Sequence, residues 1–217
     1  MADVHATRPS ALRRFAQRAQ QLTAEAEERC DLCSQPVPPQ HRHLLEVGSA
    51  ELLCVCMPCS ILFDRQGAMR PAASLGQYRL VPDRRIFLQD FRLADHQWAA
   101  LRIPVDLAYF VRSSPRQKVI AYYPSPLGPM ESSLNLDAWQ QIVDDNPLLQ
   151  EMSSDVEALL VNRAVYGSRA AREHYLTPIA DCYRLAGLLR RNWRGINGGD
   201  QVWDEIETFF RELRSAC

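Results

Sequence analysis

Leu12, Phe15, Ala19, Leu22 and Ala26 recur every three or four positions, a spacing that predicts one amphipathic helix over residues 10–28. Its charges oppose the helix dipole, with Arg13, Arg14 and Arg18 at the positive end and Glu25, Glu27 and Glu28 at the negative end. Such a helix needs a docking surface, in its own chain or a partner's. A short helix is expected from Asp95, stopped by Pro104, and a longer one over 136–145, stopped by Asn146 and Pro147. Thr177 and Pro178 suit the N-cap and first turn of a helix running to about Trp193, with Gly195 as its C-cap. The last helix starts at Asp200 and lines up Val202, Ile206, Phe209, Phe210 and Leu213 on one stripe, as if to pack on a sheet.

Strand signals lie between these helices. Residues 105–112 (VDLAYFVR) and 118–123 (KVIAYY) are rich in β-branched and aromatic types around a Pro115 turn, and predict a hairpin. Further strands are expected over 78–81, 156–162 and 173–176, while the proline-rich stretch 123–132 reads as a rigid loop joining strand to helix. Asp106, Arg112, Glu157 and Arg163 alternate with apolar residues and so mark exposed sheet positions; if that face were covered they would form a candidate polar site. Local connections of this kind give an antiparallel sheet.

The fold class that follows is α+β, a small zinc-knuckle or treble-clef-like module plus an antiparallel sheet packed by helices. Its expected division is an N-terminal helix (1–29), a metal-binding cysteine module (30–64), a linker of Gly, Pro, Ala and Ser character (65–77) and an α+β domain (78–217).

Composition narrows the function classes. A net charge of -1 with 24% charged residues gives no field for a bulk polyanion, so nucleic acid is disfavoured as a partner. The Arg190, Arg191 and Arg194 group also suits the negative end of its own helix. No apolar run is long enough for a membrane span, and the first residues lack the apolar centre of a secretory signal, so a cytoplasmic location is expected. No P-loop, dinucleotide glycine fingerprint, nucleophile elbow or HExxH pattern is present, and no catalytic residue is assigned.

The cysteines carry the strongest chemical signal. Five of the seven fall between positions 30 and 59, as CDLC at 30–33 and CVCMPC at 54–59. Two CxxC turns, each offering a pair of thiolates, complete the tetrahedron that zinc prefers, and the segment between them is long enough to fold back as a hairpin. Cys30, Cys33, Cys56 and Cys59 are therefore the expected ligands of a structural zinc. An iron site of rubredoxin type is the alternative metal, disfavoured because Ser34 and Ser60 stand where such loops use glycine. Redox chemistry of thioredoxin type lacks its surrounding strand and helix pattern.

Cys54, His41 and His43 add surplus donors. In extended backbone Cys54 and Cys56 would point the same way, as would His41 and His43, which leaves ligand replacement or a second metal open beside purely structural roles. Arg29 and Arg42 are the nearest cations to moderate the charge of four thiolates. With four protein ligands the ion has no open position, so its expected role is to stabilise the fold.

Taken together, CDLC with PPQHRHLLE, ELLCVC with MPCSILFD, YRLVPDRR, LRIPVDLAYFVRSS, YYPSPLGPMES, DVEALLVNR and TPIADCYRLAGLLRRNWRG resemble a bacterial family of zinc-binding proteins encoded near uptake nickel-iron hydrogenase genes. The resemblance covers residues 30–214 and implies an accessory role in assembling, maturing or docking a hydrogenase, with a hydrogenase subunit as partner. It transfers no activity to individual residues. The expected function is thus a zinc-binding accessory or interaction protein. The alternatives are an enzyme with a site around Asp106, Arg112, Glu157 and Arg163, and a nucleic-acid-binding zinc protein.

Overall fold

The computed structural model describes residues 28–64, 77–166, 169–195 and 198–217. The helix expected over 10–28 and the linker expected over 65–77 lie outside these residues, apart from Glu28 and Gln77.

The first unit is a hairpin, β1 (Arg42–Glu46) and β2 (Glu51–Val55), followed by a one-turn helix α1 (Met57–Ile61). Strand β3 (Tyr78–Leu80) adds to the open edge of β1, giving the sheet order β2-β1-β3. Period-2 alternation divides this sheet cleanly. Leu44, Leu53, Val55 and Leu80 meet Cys30, Val37, Cys56 and Cys59 on one face. Leu45 and Leu52 face the other way and join the main core of the molecule.

The second unit is an antiparallel sheet in the order β4-β11-β8-β5-β6-β7. Its strands are β4 (Ile86–Phe87), β5 (Leu107–Ser113), β6 (Lys118–Ser125), β7 (Gly128–Ser132), β8 (Glu157–Asn162) and β11 (Glu173–Pro178), while β9 (Val165–Tyr166) and β10 (Arg169–Ala170) form a separate small ribbon. Helices cover both faces. On one side α4 (Ile179–Asn192) and α5 (Asp200–Ser215) pack on Tyr109, Leu160 and Tyr175 through Leu185, Ile206 and Phe210. On the other, α2 (Asp95–Leu101) and α3 (Leu136–Asp145) pack Trp98, Trp139 and Ile142 on Phe110, Leu159 and Leu176. The stripe expected on the last helix is buried in full.

Several expectations change under this sandwich. Glu157 is only 1% exposed and Arg163 is buried too, because their sheet is covered on both faces. Each is neutralised locally: Arg84 Nε and Nη2 donate to Glu157 at 2.9 and 2.8 Å, and Arg163 pairs with Asp95. Asp106 remains exposed, as expected. Residues 123–132 form the β6–β7 hairpin and not a strand-to-helix loop. The prolines are tolerated there because β7 is an edge strand and β6 has no β5 partner beyond Tyr122.

Thr177 and Pro178 continue β11, held by pairing with Ala158 and Glu157, so the helix starts at Ile179. Thr177 Oγ1 donates to Asp181 and caps no backbone N–H. The helix ends on Trp193 in extended conformation; Gly195, at φ +61, instead serves the turn closed by Arg194 N–H on the Gly198 carbonyl at 3.0 Å.

Contacts across the two units are specific. Leu45 and Val81 enter the α4/α5 core, Tyr183 Oη donates to the Ala50 carbonyl at 3.0 Å, and Arg79 reaches Asp155 at 3.2 Å and the Ser154 carbonyl at 3.2 Å.

Candidate metal centre

The first CxxC turn is shaped by its backbone. Ser34 N–H donates to the Cys30 carbonyl and Cys30 N–H to the Gln35 carbonyl, both at 2.8 Å, which curls residues 30–35 around the two thiols. Ser34 takes φ +61, the left-handed conformation that glycine adopts most easily, so serine here performs the turn and does not prevent it. The second turn is the entry to α1. Cys56 is its N-cap, Pro58 occupies the first turn, and Ser60 N–H donates to the Cys56 carbonyl at 2.9 Å.

These two turns bring Cys30, Cys33, Cys56 and Cys59 together, with every Sγ within 4.8 Å of the others and Cys33 Sγ 3.6 Å from Cys56 Sγ. A tetrahedron with metal–sulfur bonds of about 2.3 Å has sulfur–sulfur edges of roughly 3.8 Å, whereas a disulfide needs about 2.05 Å. The donor set therefore fits a tetrahedral thiophilic ion. All seven cysteines are free thiols.

Electrostatics point the same way. Burial raises the Cys30 thiol, but N–H groups of Cys56, Leu32 and Cys33 outweigh it and bring its pKa down to about 6. Contacts with the sulfurs of Cys56 and Cys33 push Cys59 up to about 12. Four clustered thiols cannot all ionise without a cation among them, and the backbone has already prepared one thiolate.

Cys54 goes elsewhere. The strand ends at Val55 and the chain turns at Cys56, so Cys54 and Cys56 do not share a face as extended backbone would have them. Cys54 sits opposite His43 in the β1–β2 register, and His41 stands just before β1 begins. One ligand atom from each of these three lies within 4.8 Å of the others, on the face opposite the four-cysteine cluster. The His41 and His43 rings are 4.6 Å apart between centroids. Burial, and then the neighbouring His41, lowers the pKa of His43, while burial and then Asp31 raise that of Cys54.

Two expected cations are otherwise engaged: Arg29 donates to the Ser34 carbonyl at 3.0 Å, bracing the first turn, and Arg42 pairs with Asp83 at 3.1 Å. The sequence reading missed Asp31. Its N–H donates to the Cys54 carbonyl at 2.8 Å and its carboxylate accepts Cys54 N–H at 2.6 Å, tying the first CxxC turn to β2. An aspartate inside CxxC carries no sign of a partner so far along the chain.

The residues named for an alternative catalytic site do not converge. Glu157 opens β8 and Arg163 follows its end, so the strand rise alone puts them about 20 Å apart. Arg112 donates to the Leu149 carbonyl at 3.1 Å. Arg194, from the basic group, donates to the carbonyls of Arg191 and Trp193 at the end of α4. Cys182 is fully buried, and burial raises its thiol well above the ordinary range.

Fold and site together define an α+β protein carrying a treble-clef-like four-cysteine module. The chain belongs to a family described as a family of unknown function, DUF5947, whose profile matches residues 29–217. No curated protein and no solved structure matches it.

Proposed function

We propose that this protein is a zinc-binding accessory protein in which Cys30, Cys33, Cys56 and Cys59 hold one structural zinc that keeps a protein-recognition surface in shape. The closed four-sulfur cluster carries the reading, since it leaves an ion no vacant coordination position for chemistry. Zinc is preferred to iron because it needs only the tetrahedron, with no redox tuning from the surroundings. The seven free thiols agree with a reducing compartment, and the proposed location is the cytoplasm. Among the described residues no helix is long and apolar enough to cross a membrane.

A protein partner is supported by apolar side chains displayed on the module itself. Met57 and Ile61 are each 61% exposed and lie one helical turn apart on α1, with Leu62 and Leu32 also exposed. The resemblance to proteins encoded near uptake hydrogenases makes a nickel-iron hydrogenase subunit the proposed partner, in its assembly, maturation or docking. Purification from the native host, followed by elemental analysis and identification of co-purifying chains, tests both parts. One tightly held zinc and a hydrogenase subunit are expected; Cys30→Ser with Cys56→Ser should remove the zinc. Unchanged metal content in that variant rejects the metal reading, and recovery of partner-free monomer rejects the accessory role.

A further inference from the structure

We propose that His41, His43 and Cys54 form a second metal site, distinct from the four-cysteine cluster, which gives a divalent transition ion three protein ligands and leaves its fourth position open. The hairpin builds this trio. His43 and Cys54 are direct cross-strand partners on the sheet face opposite the four-cysteine cluster, and His41, just before β1 begins, brings its ring within 4.6 Å of the His43 ring between centroids. One ligand atom from each already lies within 4.8 Å of the other two.

His41 supplies an independent sign of a missing ligand. Its side chain is only 5% exposed, and its Nδ1 lies 2.9 Å from the Pro38 carbonyl and 3.6 Å from Glu28 Oε2. A proton on Nδ1 satisfies that carbonyl and leaves Nε2 with a lone pair, yet Nε2 is buried with no hydrogen-bond partner. A buried acceptor left this way is unfavourable, whereas a metal-binding histidine characteristically donates its other N–H to a carbonyl or carboxylate, as His41 does. Two imidazoles and one thiolate suit zinc and its neighbours, and they disfavour calcium or magnesium, which take oxygen.

His41 and His43 also line a cavity of about 1010 Å³ between the module and α4, walled by Leu52, Arg85, Asp181 and Tyr183. An ion on this trio would face that cavity, where water or a small anionic donor completes the tetrahedron.

The test uses the full chain, loaded with excess zinc, desalted and assayed for bound metal, alongside His41→Ala, His43→Ala and Cys54→Ala, with circular dichroism to verify folding. The unaltered chain should hold one equivalent more than each variant; Cys30, Cys33, Cys56 and Cys59 are the same in all four proteins, so that difference reports the second site alone. Equal metal content in the unaltered chain and the three variants overturns the proposal. Cadmium-113 NMR of the unaltered chain needs no variant to fold: a resonance from a site with one sulfur and two nitrogens, separate from any four-sulfur resonance, is expected, and its absence overturns the proposal.

Discussion

Glu157 and His174 show how burial sets the role of single residues. Glu157 begins a strand wholly inside the sandwich, and its charge is tolerated because Arg84 meets it with two donors and Ser153 N–H adds a third at 2.8 Å. Arg84→Leu leaves that carboxylate unpaired and should lower stability by about 3 kcal/mol, discounted from a fully buried pair because Arg84 is partly exposed, as read from urea unfolding. His174 stacks on Phe91 at 4.7 Å between centroids; burial, then Arg163 and Arg172, lowers its pKa from 6.5 to about 4. With the folded value below the unfolded one, its contribution is fully present above about pH 6.5 and is lost as pH falls toward 4, by up to roughly 3 kcal/mol. A His174→Gln variant should flatten that part of the stability profile measured by thermal unfolding between pH 4 and 7.

At the level of elements, turns and caps decide where strands and helices meet. Gly198 precedes α5 at φ +85, and a Cβ there would lie 2.7 Å from Val202 Cγ1 and 3.2 Å from the Trp193 ring. Gly198→Ala should therefore destabilise by more than about 1 kcal/mol, while Gly48→Ala, with open space around it, should stay within about 0.5 kcal/mol in the same melting assay. Asp155 ties the turn before β8 to its surroundings: it accepts Ser114 N–H at 2.7 Å and Ser114 Oγ–H at 2.6 Å, and holds Arg79 of β3. The helical stripe of α5 was readable from its period, because its burial follows that period, and the β5–β6 hairpin from its β-branched and aromatic residues around Pro115, although cover on both faces leaves β5 with no alternation of burial. The β6–β7 hairpin was not, since prolines that argue against a central strand are harmless on an edge.

For the whole molecule, a metal held by the four thiols would couple to the rest through the shared sheet. Leu45 and Val81 bury into the α4/α5 core from a sheet whose other face carries the four thiols. Removing metal with a strong chelator should expose residues 29–63 and β3 to hydrogen exchange, while β5, β6 and β8, which keep their own strand ladder and their packing on α2 and α3, stay protected. Mass-spectrometric exchange on the full chain before and after chelation reads this directly; uniform loss of protection would show that the module supports the entire fold.

The sequence by itself determined the four-cysteine set and most helices and strands, because CxxC spacing and apolar period act within a few residues. It also flagged His41, His43 and Cys54 as surplus donors without assigning them a place. Only the tertiary structure decided that Cys54 leaves Cys56 for the opposite face, that Glu157 and Arg163 are buried with separate partners, and that Asp31 clamps β2. These depend on where a strand ends and on what covers a sheet's second face, which are set by contacts between residues far apart in the chain.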